Sequence, residues 1–272
     1  MGSKITQSLV LAIDVETTGL DVTQDRIVEL GGAYCLNGLQ YGPTLCSRVN
    51  PEKYIPADST RIHGISNEDV EHAPTWKEVN QWLKAHVDGP DTLLSGYNIL
   101  NYDAPLINYE NQRVDAGWSL DLDQILDPFL FCKWAHPEVG NRLVDMCKLY
   151  GLSLPEDQAH SADSDSFVTA LLVVAMVWAG HVPDEIDEAF EKQKMIKTTL
   201  EEDLIRWGKG VYVNRQDRTT LHIARGIHRG KSIYDLEQNY IKRIITEWKA
   251  EDLSDEARIL IQEQTQKQAS LF

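Results

Sequence analysis

Five consecutive apolar residues, Leu9 to Ile13, run straight into Asp14-Val15-Glu16 and then into the turn Thr17-Thr18-Gly19-Leu20. A run of this kind predicts a strand covered on both faces. Alternate residues of a strand share a side, so Asp14 and Glu16 point the same way. Residues 26–35 and 45–49 predict two more strands, joined by short polar connections as an antiparallel meander that Asn50-Pro51 ends. Residues 51–74 read as loop and contain Arg61-Ile62-His63-Gly64-Ile65. Trp76, Val79, Trp82 and Leu83 recur at helical spacing. A strand over 92–98, a helix over 103–116, a short strand at Ile125-Leu126, a helix over 143–150 closed by Gly151 and a long apolar helix over 160–178 closed by Gly180 follow. Strands first, then alternating helices and strands, predict an α/β domain with a mixed sheet.

Beyond that helix the pattern changes. Residues 184–207 are highly charged with helical spacing, as in a connector. Val211-Tyr212-Val213 and Leu221-His222-Ile223 alternate like paired strands around a turn, and two helical stretches follow at 238–248 and 254–266. The expected organisation is a domain over 1–182, a helical connector over 183–208, a small α+β module over 209–267 and a tail over 268–272. No run approaches the ~18 apolar residues of a membrane span, and Met1-Gly2-Ser3-Lys4 lacks the apolar segment of a signal peptide. Cys35, Cys46, Cys132 and Cys147 are widely spaced without a CxxC, which reads most simply as reduced thiols in a cytoplasmic protein.

The net charge of −16 argues against a protein that coats nucleic acid by bulk electrostatics. The charge is uneven, however. Residues 1–205 carry 14 Lys and Arg against 33 Asp and Glu, whereas residues 206–272 carry 12 against 9. A basic segment at 206–234, with Asp217 as its one acid, either forms a solvated face or tracks phosphates.

Paired carboxylates at a strand end repel one another and resist desolvation. A divalent cation relieves both, and hard oxygen donors suit Mg²⁺ or Mn²⁺; a solvated strand end is the plainer reading. Asp103, just after Gly96-Tyr97-Asn98, stands where a strand end can deliver it beside the first pair, although an Asp at a helix start is also a cap. His160-Ser161-Ala162-Asp163-Ser164-Asp165 adds further polar groups. On a helix Asp163 and Asp165 lie about 200° apart, so only one can face a common site. A histidine joined to a carboxylate cluster is a candidate general base, its ordinary pKa being near neutrality.

Asp14-x-Glu16, then Asp103, then His160-x4-Asp165 resembles, in order, spacing and context, the DEDDh branch of the DnaQ-like 3′–5′ exonucleases. Residues 61–65 resemble that family's loop between the third strand and the first helix, and the resemblance covers about residues 8–178. It implies an RNase H-like mixed five-stranded sheet flanked by helices. It further implies that Asp14, Glu16, Asp103 and Asp165 hold two divalent ions, Mg²⁺ or Mn²⁺, which activate water and stabilise the attacked phosphate, with His160 taking the water's proton. Thr17, Thr18 and Leu20 would line the terminal nucleotide's site with backbone amides and an apolar wedge; Asn98, Tyr102 and His63 would stand close by. Tyr97 departs from the His that many members carry before the Asn, and Tyr102 stands where Phe is common. The implied activity is hydrolysis of DNA from its 3′ end to nucleoside 5′-monophosphates in replication or repair. The alternatives are a 3′–5′ exoribonuclease of the same fold, or a clamp-recruited binding protein with weak nuclease activity.

The remainder resembles, in part, the small C-terminal module of the exonuclease X group, through Gly226-Ile227-His228-Arg229-Gly230-Lys231 and the helix around Tyr240. Gly226 and Gly230 permit tight turns. Arg225, Arg229 and Lys231 would then offer contacts to nucleic-acid phosphates; the alternative is a hairpin that only packs. The last residues resemble the short form of the bacterial sliding-clamp-binding motif, with Gln268 setting register and Leu271 and Phe272 filling a pocket; the alternative is a tail that packs on its own domain.

Overall fold

The computed structural model describes residues 2–153, 161–215 and 220–269, with backbone alone at 264 and 266–269. The chain forms two compact units, residues 1–131 with 142–193, and residues 132–141 with 194 onward.

Strand β1 (Leu9–Thr17) is the axis of the first unit. It pairs antiparallel with β2 (Ile27–Leu36) on one side and parallel with β5 (Thr92–Ser95) on the other, and β5 pairs parallel with β6 (Ile125–Leu126). The outer edge of β2 carries both β3 (Leu39–Gln40) and β4 (Leu45–Arg48). The sheet is therefore mixed, as expected, but has six strands and not five. The extra one is the two-residue β3, returned by a turn at Asn37-Gly38, both at positive φ, and too short for any periodicity to register. Val10 to Ala12 have no exposed surface, which explains the unbroken apolar run.

Helices α1 (Ala57–His63) and α2 (Asn67–Val70) occupy the stretch read as loop. Both are short, and local capping defines them: Gly64 at φ 77° closes the first, and a Ser66–Asp69 capping box opens the second. Helix α3 (Trp76–Val87) begins at a Thr75–Glu78 capping box and buries Trp76, whose indole donates to Asn111 at 2.9 Å on α4 (Asp103–Arg113). Helix α5 (Pro128–Ala135) has no counterpart in the sequence reading, because its residues other than Lys133 are apolar and show no clear amphipathic period. Helix α6 (Leu143–Leu149) precedes α7 (Ala162–Trp178), which is buried along most of its length against β1 and β2. Gly31 makes that packing close: a Cβ there would lie 2.1 Å from the carbonyl carbon of Ala162.

Helix α8 (Ile186–Trp207) starts in the first unit and ends in the second. The second unit contains the β7 (Val211–Val213) and β8 (Leu221–Ile223) hairpin, then α9 (Gln238–Glu247) and α10 (Asp255–Ala269). Its core is its own, with Trp207, Val211, Leu221, Ile233, Ile244 and Ile261 among the buried residues. Residues 132–141 belong to this unit too, held by Arg229 donating to the Val139 carbonyl at 2.5 Å and by Arg215 stacking over Trp134 at 4.3 Å. All four cysteines are free thiols, and among the described residues no helix is long and apolar enough to cross a membrane.

Candidate active site

Three elements of the first unit bring the acidic side chains together. Asp14 and Glu16 share one face of β1. Asp103 is the first residue of α4; Tyr102 takes the N-cap position without a side-chain cap, while the Asp103 carboxylate accepts the Val15 N–H at 3.2 Å. The carboxylate is thus tied to β1, and the capping role gives way to this long-range bond. Asp165 lies one turn into α7, and its charge acts on Asp14 and Glu16. Asp163 points elsewhere, accepting the Thr44 hydroxyl at 3.3 Å. His160 lies outside the described residues.

The electrostatics follow from this crowding. Burial raises the pKa of Asp14, and the charges of Asp103, Glu16, Asp165 and Glu29 raise it further. Glu16 is pushed up to about 8, first by burial, then by Asp165, Glu29 and Asp103, with Arg48 opposing. Asp103 is raised by burial against the hydrogen bonds from its own N–H and that of Val15. Among the described residues, no three His, Cys, Asp or Glu side chains form a ready-made metal cage. The donor chemistry nonetheless fits a divalent cation: the side chains are carboxylic acids, and burial with mutual repulsion raises the pKa of Asp14, Glu16 and Asp103, a strain that a hard cation would relieve.

Next to the acids, the 17–20 turn is held from several sides. The Thr17 and Tyr102 hydroxyls lie 2.8 Å apart, and both donate to the Gly19 carbonyl. Burial pushes the Tyr102 phenol up to about 12, so it stays protonated. The Thr18 hydroxyl donates to Asp25 at 2.8 Å, and its N–H is engaged by the Arg26 carbonyl at 2.9 Å, so that amide does not face a ligand. Ser59 on α1 donates to the Thr18 carbonyl at 2.8 Å. The turn presents Leu20 at 87% exposure. His63 closes α1; its Nδ1 accepts the Ile65 N–H at 3.0 Å, its buried Nε2 meets no partner of full hydrogen-bond geometry among the described residues, and burial lowers its pKa.

Two acids escaped the sequence reading. Asp127 is fully buried and accepts the N–H groups of Asn98 at 2.9 Å, Leu100 at 3.3 Å and Phe129 at 3.0 Å. It thereby fixes Asn98 at φ 63° and the turn that leads to Asp103. Its own N–H donates to Gln193, which returns a bond to the Ile125 carbonyl. Glu29 sits opposite Glu16 in the β1–β2 register and is 5% exposed. The available signal was an acid inside an apolar strand run, Ile27-Val28-Glu29-Leu30, and an acid before Pro128.

In the second unit, Arg225 is paired with Asp252 at 2.7 Å and stacks on Trp248, and Arg229 bonds Val139, while Lys231 is exposed. Gly226 and Gly230 take positive φ, as their turns require. The Gln268 side chain, Leu271 and Phe272 lie outside the described residues.

The model of the exonuclease family RNase_T matches residues 11–173. The DNA polymerase III subunit epsilon of Rickettsia prowazekii is 30% identical over 171 residues, covering 61% of this chain and 72% of that one. Among solved structures, a zinc-bound E. coli exonuclease I–ssDNA complex aligns with TM-score 0.60 at 18% identity over 92% of this chain and 61% of that chain. Exonuclease X in complex with 5′ overhanging duplex DNA aligns with TM-score 0.51 at 20% identity over 66% of this chain and 99% of that chain. Both likenesses carry the RNase H-like fold. Some curated relatives are far longer: the chain spans 11% of a PolC-type DNA polymerase III. Exonucleases of this family depend on divalent metal ions.

Proposed function

We propose, on the premise that the chain belongs to the RNase_T exonuclease family in its DEDDh, DnaQ-like form, that it is a metal-dependent 3′–5′ exonuclease acting on DNA in replication or repair. The observation that carries this reading is the meeting of Asp14 and Glu16 from β1, Asp103 from α4 and Asp165 from α7 in one mutually repelling set. These four would hold two divalent ions, Mg²⁺ or Mn²⁺. When bound, such ions supply Lewis-acid polarisation of the phosphate and ready deprotonation of water. His160 would accept the water's proton, for which it must be neutral. Leu20 would wedge against the terminal base, Thr17 and Tyr102 would hold the wedge's turn in place, Thr18 would anchor that turn through Asp25, and His63 and Asn98 would border the nucleotide. The product would be a nucleoside 5′-monophosphate.

Labelled single-stranded DNA, duplex DNA and RNA, each with Mg²⁺, Mn²⁺ or chelator, test the reading together. Expected is shortening from the 3′ end of DNA, abolished by chelator and by Asp14→Ala. An Asp14→Ala protein that degrades 3′ ends like wild type overturns it, and faster loss of RNA moves the substrate to RNA. In the second unit, Lys231 is the candidate phosphate contact, since Arg225 and Arg229 have partners of their own. Gln268, Leu271 and Phe272 would recruit a sliding clamp, tested by clamp binding with and without residues 268–272.

A further inference from the structure

The acidic face of the sheet does not end at β1. Glu16 stands opposite Glu29 on β2, and Glu29 stands opposite Arg48 on β4. Directly opposed residues of antiparallel strands point to the same face, and neighbouring strands are about 4.8 Å apart, so Arg48 stands roughly 10 Å from Glu16 along one row. The middle member is the fixed post of the row. Glu29 is buried, accepts Arg48 Nη1 at 2.9 Å and Cys46 Sγ at 3.4 Å, and accepts the Ala162 N–H at the start of α7 at 3.4 Å. Arg48, by contrast, keeps 43% of its side chain exposed.

An acidic centre is a poor host for a polyanion. Metal ions held by the carboxylates would answer for the phosphate under attack, but the strand carries others. A guanidinium has five donors, and the contact to Glu29 uses one nitrogen, leaving donors for a phosphate oxygen, the group that arginine's planar fork suits. Its charge is also felt at Glu16 and at His63, which places it on the border between the carboxylates and α1.

We propose that Arg48, held in place by Glu29, binds a backbone phosphate of the strand whose 3′ end lies at the carboxylates; the proposal rests on the exonuclease reading above. Arg48 is a binding residue, and Glu29 is a positioning residue that acts through it.

The test measures binding of a fluorescent single-stranded oligonucleotide to the full chain in Ca²⁺ and its turnover in Mg²⁺. Wild type, Arg48→Met and the double variant Glu29→Gln/Arg48→Met are compared. The double variant leaves no buried charge unpaired, so it separates loss of the contact from loss of the fold; melting curves verify both. A series of oligonucleotides carries one neutral methylphosphonate linkage at successive positions from the 3′ end. Expected is a loss of about tenfold in affinity in both variants, a salt slope shallower by about 0.7, and KM raised more than kcat is lowered. One linkage should weaken wild type by a similar factor and leave Arg48→Met unaffected. Unchanged affinity in both variants, or equal sensitivity of wild type and Arg48→Met at every linkage, overturns the assignment. Wild type that neither binds nor shortens the oligonucleotide overturns the exonuclease reading as well, so the two failures are told apart.

Discussion

Glu16 binds its proton far more tightly folded than unfolded. Its pKa rises from an ordinary 4.5 to about 8 through burial and the neighbouring acids. A raised value means that its contribution to stability is fully present below the unfolded pKa and is lost as pH climbs through the folded one. In chelator, Glu16→Gln should therefore melt above wild type, with a gap that opens between pH 4.5 and 8 and reaches at least about 2–4 °C, the worth of about 1 kcal/mol in a domain of this size. A constant gap across that window would show that Glu16 is not the strained group. Asp127 acts as an acceptor for three part-buried N–H groups. Asp127→Ala should cost about 3 kcal/mol or more in denaturant unfolding, since each orphaned donor costs about 1–3 kcal/mol. Asp14, Glu16, Asp103 and Asp165 were legible in the sequence through their combined order and spacing, since each alone also reads as a solvated strand end or a helix cap. Glu29 and Asp127 were not, because what makes them matter is a partner 133 residues away in one case and three scattered backbone groups in the other, and neither leaves a local pattern.

The meander, the long helices and the second hairpin are legible at the level of elements because apolar runs or alternation bounded by turn residues mark each of them. Short helices and the two-residue strand are defined by caps and turns instead, and α5 by residues that are apolar apart from Lys133. The close fit of α7 on β2 was equally silent, since a glycine in a strand looks like a weakness until its neighbour is known. Gly31→Ala tests that fit. A Cβ 2.1 Å from backbone has nowhere to go, so the start of α7 must shift and carry Asp165 with it. If Asp165 holds metal as proposed, displacing it by about 1 Å costs on the order of 10²-fold in rate. The expected result is such a fall in kcat with the far-ultraviolet spectrum unchanged; Gly32→Ala, whose Cβ would meet nothing nearer than 3.5 Å, serves as the control.

Across the whole molecule, the proposed metal ligands lie in the first unit, and the second has a separate core. Mg²⁺ at 100 times its Kd should stabilise the unit that binds it by about 2.7 kcal/mol. Calorimetry should then show one transition that moves with Mg²⁺ and one that does not; a single transition that moves as a whole would mean that the units melt together. The second unit also draws on two separated stretches of chain, residues 132–141 and those from 194 onward. During synthesis the earlier stretch leaves the ribosome before any of its later partners exists. Residues 142–193, which complete the other unit, come between, a wait on the order of 3–10 s at ordinary elongation rates. For that interval Trp134 and the carbonyl of Val139 lack Arg215 and Arg229. The nascent protein therefore carries a stretch still lacking its later partners, with the Trp134 ring exposed, that a chaperone has time to meet, and the second unit cannot be transplanted as a cassette by cutting the chain at one place.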